Sequence, residues 1–212
     1  MNFNHPATYH TTDDSNSDVN LQLYRTAVAL FEDEDYEAAA ATARLVSSDD
    51  IFLNLEATKL LALCHYNSGN WDLAVDEMQQ GLQLIATSEN PDSSELRMFR
   101  LTFLSRLTEI YSQLGNDDLA WRTLHQAQPL ADLEDATNQD PQFRKGVLAS
   151  IHHNLALQYQ RSEQWSQAVR HYELAFKVWQ EFPECEELYK ASHAAYMACG
   201  ANALREMFSG SD

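Results

Sequence analysis

Residues 60–82 read LLALCHYNSGNWDLAVDEMQQGL, and two later segments of the chain align with them without a gap. Those segments are 106–128, RLTEIYSQLGNDDLAWRTLHQAQ, and 154–176, NLALQYQRSEQWSQAVRHYELAF. Each predicts two helices joined by a tight turn, because apolar residues recur three and four apart on both sides of a polar break. Gly69-Asn70 and Gly115-Asn116 stand in two of these breaks. Glycine there can end one helix in a left-handed conformation, and asparagine can cap the next.

Small and large residues recur at fixed places in these segments, which defines an internal repeat. The second helices share the series Ala74, Met78, Gly81; Ala120, Leu124, Ala127; and Ala168, Tyr172, Ala175. The first helices share Leu61-Ala62 with His65, Leu107-Thr108 with Tyr111, and Leu155-Ala156 with Tyr159. Small side chains are needed where two helix backbones approach closely, and large ones fill the space between neighbouring helix pairs. A weaker first copy contains Leu23, Ala27, Leu30, Tyr36, Ala39 and Val46.

This spacing resembles the tetratricopeptide repeat (TPR), with a large residue, Leu-Gly/Ala, Tyr, Ala, an aromatic residue and Ala in order. The resemblance implies an all-α, right-handed superhelix of about four helix-turn-helix units over residues 18–182. Equivalent alanines in successive units are 35, 46 and 48 residues apart, whereas the standard unit has about 34 residues. The later units therefore have longer helices or loops. The segment NLALQYQRSEQWSQAV, residues 154–169, resembles the long repeats of kinesin light chains.

The remaining segments flank this array. Residues 1–17 are polar and without periodicity, which predicts a disordered tail. Residues 183–208 predict a C-terminal capping helix, since a repeat stack needs a cover for its last apolar face. The expected packing stripe of that helix is Leu188, Ala191, Ala195, Cys199 and Ala203.

Several helix ends carry sequence signals. Asp92 with Glu95 resembles a capping box, and Asp140 precedes a proline, Pro141, suited to the first helical position. Pro129 is expected near a junction between helices.

The chain is strongly acidic, with 32 Asp and Glu against 14 Lys and Arg, a net charge of −18. This charge repels phosphate backbones and anionic lipid surfaces, so neither nucleic acid nor membrane is expected as a partner. It serves solubility or attracts a basic partner. No apolar run is long enough to span a bilayer, and no secretory signal is found. We therefore expect a cytoplasmic protein, with the nucleus as the alternative, and reduced thiols at Cys64, Cys185 and Cys199.

No pattern in the sequence predicts catalysis, a metal site or a cofactor. Phosphate loops and the signatures of zinc proteases and serine hydrolases are missing. His152 and His153 are adjacent, as are Cys64 and His65, and adjacent helical residues do not face one another. The acidic run EDEDYE at 32–37 lacks the ligand spacing of a calcium loop and is expected to solvate a helix turn. We predict that the protein is not an enzyme.

The resemblance also implies where a partner would bind. In TPR proteins the first helices of each unit line a concave groove, and the corresponding positions here are Tyr24, Val28, Phe31, Lys59, Leu63, Tyr66, Ser105, Glu109, Ser112, His153, Leu157 and Arg161. The first half of this set is aromatic and aliphatic, as at protein-binding surfaces, and the second half is polar. The alternative is that the tail or the capping helix covers these residues.

One TPR subtype can be tested by its residues. TPR domains that grip the acidic tails of heat-shock chaperones use Lys, Asn and Arg side chains of the first helices. Here Tyr24, Val28 and Leu60 occupy three such positions, and Arg106 and Asn154 stand alone. A chaperone tail is therefore not expected as the partner.

These observations predict an interaction scaffold or adaptor that binds a helical or extended segment of another protein. The alternative is a peptide-responsive regulatory sensor or an assembly chaperone. A change of shape on binding would favour the alternative.

Overall fold

A computed structural model describes residues 14–132, 141–182 and 185–209, and all regular structure in these ranges is helical. The helices are α1 (Asp14–Glu32), α2 (Tyr36–Ala43), α3 (Ile51–Asn67), α4 (Trp71–Ala86), α5 (Ser94–Gln113), α6 (Asp117–Asp132), α7 (Pro141–Arg161), α8 (Trp165–Trp179) and α9 (Glu186–Ser209). Residues 1–13 of the predicted tail lie outside the described residues. Residues 14–17 form the start of α1, so the prediction of disorder was wrong for them.

The same backbone turn ends α1, α3, α5 and α7. In each, one residue has positive φ: 62° at Glu34, 75° at Gly69, 71° at Gly115 and 56° at Glu163. The amide of the next residue donates to the carbonyl five residues earlier, as in Asn70 N to His65 O at 2.8 Å and Gln164 N to Tyr159 O at 2.8 Å. This is the Schellman arrangement, which satisfies carbonyls that the helix end leaves open. It sets the start of the second helix in every pair.

The chain divides into two compact units, and the N-terminal unit ends at Phe103, inside α5. Within this unit α1 packs on α2 and α3, α2 packs on α3, and α3 packs on α4. Its core joins small and large residues: Ala27, Ala39, Ala40, Ala43, Leu60, Leu61 and Cys64. Burial of this apolar surface is the main stabilising contribution.

Gly81 shows why a small residue is required in the second helix of a pair. A Cβ atom placed on Gly81 of α4 would lie 2.6 Å from Cε2 and Cζ of the Phe103 ring, which is 1% exposed. The absence of a side chain at Gly81 therefore leaves room for the Phe103 ring of α5 against α4.

The C-terminal unit begins at Leu104, and in it α7 packs on α6 and α8, and α9 packs on α8. Ala120, Ala168 and Ala175, which the repeat places between helices, are fully buried. Two clusters form along α8 and α9, one around Trp179 and Cys185 and the other around Tyr172 and Cys199. The packing register predicted for these second helices is thus the one observed.

Two details differ from the sequence-based expectation. Ser93, not Asp92, caps α5, because its hydroxyl accepts from the Leu96 amide at 3.3 Å. Pro129, expected near a junction, lies in the last turn of α6. On α9 Ser192 is fully buried whereas Ala191 is exposed, so the packing face is rotated by one residue there. The predicted cap Asp140 lies outside the described residues, although Pro141 begins α7 as expected.

Candidate protein-binding surface

The predicted groove residues of α1 are half-buried. Tyr24, Val28 and Phe31 are spaced four and three apart, so they form one stripe on the helix. One side of this stripe packs against the core cluster of Ala27, Leu60 and their neighbours. The other side stays accessible, and these residues therefore combine core packing with exposed apolar surface.

The predicted residues of α3, Lys59, Leu63 and Tyr66, have the same spacing and are also half-buried. Lys59 places its ammonium 5.5 Å from the centre of the Phe99 ring, within reach of a cation–π interaction. Its Nζ also lies 2.6 Å from Glu56 Oε2, an ion pair in which both side chains are less than one-fifth exposed, at 19% and 12%.

Glu56 ties α3 to α1, because the Tyr24 hydroxyl donates to Glu56 Oε2 at 3.0 Å. The one carboxylate is thus shared by a lysine and a tyrosine, and the local charge is balanced. We call the surface formed by Tyr24, Val28, Phe31, Leu63 and Tyr66 the α1/α3 face. Glu56 and Phe99 were not predicted from the sequence. The pairing of Glu56 with Lys59 could have been inferred from their i, i+3 spacing, whereas the Phe99 contact depends on tertiary packing.

Two predicted groove residues of the C-terminal unit form ion pairs. Glu109 of α5 accepts from Arg106 at 2.8 Å within the same helix. Arg161, at the end of α7, donates to Asp117 at the start of α6 at 2.9 Å. Both pairs are at least 30% exposed, so they contribute little to stability and present a polar surface.

The other two, His153 and Leu157 of α7, are half-buried and pack against α8 and α9. His153 Nδ1 lies 2.6 Å from Ser192 Oγ of α9, and its ring contacts Tyr172 and Trp179 of α8. Leu157 packs on the cluster that contains Tyr172 and Cys199. Burial lowers the pKa of the His153 imidazole to about 4, and the nearby Glu109 carboxylate offsets part of this shift. His153 is therefore neutral at physiological pH.

The remaining predicted groove residues of α5, Ser105 and Ser112, make hydrogen bonds within the C-terminal unit. Ser105 and Ser112 are buried, and each accepts a hydrogen bond from α7. Asn154 Nδ2 donates to the Ser105 carbonyl at 3.3 Å, and Gln158 Nε2 donates to the Ser112 hydroxyl at 2.7 Å. Asn154 and Arg106, the residues closest to a chaperone-tail clamp, thus have intramolecular partners.

Comparison with solved structures supports this architecture. The crystal structure of BtubC (BKLC) from P. vanneervenii matches with a TM-score of 0.64 at 18% sequence identity, over 89% of this chain and 74% of that chain. The chain has a TPR-like helical repeat fold. The all-α fold class predicted from the sequence is therefore confirmed. No family model matches the chain, and no curated protein sequence matches it.

The side chains that could carry chemistry are placed in the core. Cys64, Cys185 and Cys199 are free and buried. Burial raises the pKa of the Cys64 thiol to about 11, although a backbone hydrogen bond opposes the shift, and burial also raises the pKa of Cys199. These thiols are poor nucleophiles at neutral pH. The described ranges contain no group of three His, Cys, Asp or Glu side chains suited to a metal ion.

The acidic run at 32–37 forms the end of α1, the turn and the start of α2. Asp35 caps α2 by accepting from the Ala38 amide at 3.1 Å, and Glu34 takes the positive-φ position of the turn. Part of this run therefore has a structural role. Within the described part of the chain, no helix is both long and apolar enough to cross a bilayer.

Proposed function

We propose that this protein is a non-enzymatic scaffold or adaptor that binds a helical or extended segment of a partner protein on the α1/α3 face. The observation that carries the proposal is the half-burial of five apolar residues on two neighbouring first helices, of which Tyr24, Val28 and Phe31 pack on the core cluster. Side chains held on one side by the core are preorganised, so a partner gains contact area without the full entropic cost of ordering them. Helical repeat folds of this kind are generally non-enzymatic.

The C-terminal unit contributes less to this proposed surface. His153 bonds to Ser192 of α9, Leu157 is a single half-buried apolar residue, and Glu109 and Arg161 form ion pairs. We therefore assign the apolar anchors to α1 and α3 and a polar margin to Glu109 and Arg161.

The charge of the chain suggests the chemistry of the partner. The ion pair of Lys59 with Glu56 balances the local charge of the α1/α3 face, whereas the whole chain carries −18. An apolar segment flanked by Lys or Arg would fit this combination, because apolar contacts provide the affinity and opposite charge accelerates encounter. The same negative charge disfavours nucleic acid and anionic membranes as partners. We also propose a cytoplasmic or nuclear location.

We also propose that the repeats belong to the long variant found in kinesin light chains. The intervals of 46 and 48 residues between equivalent alanines exceed the standard TPR length of about 34. The structural match to BtubC (BKLC) agrees with this proposal.

Affinity capture tests the proposal. Tyr66→Ala removes a proposed anchor, whereas Leu73→Ala removes a side chain of α4 that is 45% exposed and outside the α1/α3 face. Both variants and the parent would be used as bait in extract from cells that make the protein, with quantitative mass spectrometry of the captured proteins. Tyr66→Ala is expected to reduce capture of a stoichiometric partner by about 30-fold or more, as for an anchor worth about 2 kcal/mol, and Leu73→Ala should capture it normally.

Thermal unfolding of the same variants separates binding from packing. If Tyr66 acts as an anchor, the Tyr66→Ala variant keeps a melting temperature close to that of the parent. Normal capture by a folded Tyr66→Ala variant would contradict the α1/α3 assignment and would direct attention to the acidic run at 32–37.

A further inference from the structure

The last helix, α9, buries one face and leaves the opposite face open. Its inner face packs on α8 through Ser192 and Cys199, which are 0% and 1% exposed, with Leu188 and Ala195 beside them. On the outer face Met197, Leu204 and Phe208 are 59%, 56% and 77% exposed. Their spacing of seven and four residues places them on one side of the helix.

The composition of α9 is unusual for a solvent-facing helix. Residues 191–204, ASHAAYMACGANAL, contain no Asp, Glu, Lys or Arg, although such residues make up 22% of the chain. A terminal helix that only capped a repeat stack would be expected to carry a polar outer face. Between Lys190 and Arg205, which are both exposed, the outer face of α9 is apolar instead. Such a strip is typical of a surface that contacts another protein.

The end of α9 also extends past its neighbour. α9 has 24 residues and α8 has 15, so α9 is longer by roughly 13 Å at 1.5 Å per residue. The packing between them reaches Cys199 of α9, which clusters with Ala168 near the start of α8. Leu204 and Phe208 lie beyond that contact along the helix, where a second molecule has access.

We propose that a second copy of this chain packs against this outer face, with α9 against α9 about a twofold axis. The proposal concerns a surface in the C-terminal unit and goes beyond binding on the α1/α3 face. A twofold contact needs a patch that is complementary to itself. A strip of methionine, alanine, leucine and phenylalanine meets that condition, and a partner chosen by charge would need charged residues that 191–204 do not offer.

The size of the patch fits a weak but specific dimer. Met197, Leu204 and Phe208, with the exposed Ala201 between them, offer about 400–500 Å² per copy. Two copies would bury about 800–1,000 Å², at or just below the lower limit for a specific interface and in the range of weak ones. The net charge of −18 on each chain opposes association. Because the strip carries no charge between Met197 and Leu204, this repulsion acts mainly over distance and is screened by salt.

Sedimentation equilibrium tests the proposal directly. The apparent mass of the parent chain is expected to approach twice the monomer mass as the protein concentration rises from about 1 µM to about 1 mM. This is the range of dissociation constants suited to an interface of this size. Leu204→Glu and Phe208→Glu each bring like charges to the proposed axis and should remain monomeric. Leu45→Glu is the matched control, since Leu45 is 64% exposed in the N-terminal unit, and this variant should dimerise like the parent.

Salt provides a second readout. Association through an apolar strip between two acidic chains should strengthen as salt screens their repulsion, whereas an ion-paired contact would weaken. Circular dichroism would verify that each variant is folded. A parent chain that stays monomeric throughout, a dimer that Leu204→Glu leaves intact, or association that weakens with added salt would overturn the proposal.

Discussion

Residues with left-handed backbone conformation end the first helix of each pair, but only two of the four are glycine. Gly69 and Gly115 adopt positive φ without a steric penalty, whereas Glu34 and Glu163 hold the same conformation with a Cβ atom. For a residue with a side chain this conformation costs roughly 1–2 kcal/mol. The turn persists because its hydrogen bonds and the packing of both helices determine it.

Replacing the glutamate in the last of these turns should therefore stabilise the protein. We expect Glu163→Gly to raise the free energy of unfolding by about 0.5–1 kcal/mol, since the relief of strain exceeds the entropic cost of glycine. Gly115→Ala is the reverse control and should lower stability by about 1 kcal/mol. Urea unfolding of both variants measures the difference, and a less stable Glu163→Gly variant would contradict the shared turn conformation.

His153 is expected to make stability dependent on pH. Its pKa is lowered from 6.5 to about 4 by burial among Ser192, Tyr172 and Trp179, and Glu109 opposes the shift. The unfolded chain therefore binds a proton at a pH where the folded chain does not. The free energy of unfolding is therefore unaffected by this group above pH 6.5. It falls by roughly 2–3 kcal/mol as the pH decreases toward 4.

The variant His153→Gln isolates this effect from other titrating groups. Thermal unfolding would be measured at several pH values between about 7.5 and about 5, which bracket the ordinary histidine pKa of about 6.5. The variant should lose less stability over this range than the parent. Equal slopes for the two proteins would mean that His153 is accessible to protons in the folded state, contrary to its packing against α9.

At the scale of elements, the Phe103 ring of α5 packs against α4 at Gly81. The Phe103 ring occupies the space that a Cβ atom of residue 81 would need. The ring is buried in the N-terminal unit, so it has little freedom to move aside. The contact explains why the second repeat has glycine where the third and fourth have Ala127 and Ala175.

Gly81→Ala should destabilise the protein by about 1–3 kcal/mol, although alanine is the better helix former, because the added methyl group overpacks the contact. Gly200→Ala is the matched control on α9. No atom lies within 4 Å of its added Cβ, so this variant should gain about 0.5–1 kcal/mol from helix propensity. Denaturant unfolding at low protein concentration measures both. A neutral or stabilising Gly81→Ala substitution would contradict the α4–α5 packing.

Much of the element-level structure could be predicted from the sequence. The recurring alanines gave the packing register, because only small residues fit between two helices, and Ala74, Ala120 and Ala168 are fully buried. Gly69 and Gly115 predicted two turns correctly. The equivalent turns at Glu34 and Glu163 carry no glycine, and only the repeat register could have located them.

The contacts that modify the candidate surface could not be predicted in this way. The hydrogen bonds of His153 with Ser192 and of Gln158 with Ser112 join residues 39 and 46 positions apart. Such contacts depend on rotamers and on how neighbouring helix pairs are packed, which periodicity does not specify. The partial burial of His153 against α9 follows from the first of these contacts.

At the scale of the whole molecule, each unit has its own core and its own open surface. The α1/α3 face belongs to the N-terminal unit, and the outer face of α9 belongs to the C-terminal unit. In a repeat protein stability depends mainly on neighbouring repeats, so substitutions on one surface should have little effect on the other. Partner binding and self-association can therefore be tested with separate variants.

Hydrogen exchange on the complex with the captured partner tests the central claim most directly. Bound partner should slow amide exchange mainly in α1 and α3, Asp14–Glu32 and Ile51–Asn67, and should leave α7, Pro141–Arg161, unchanged. This result would place the partner on the α1/α3 face. Protection confined to α7–α9, or to the acidic run at 32–37, would contradict the account.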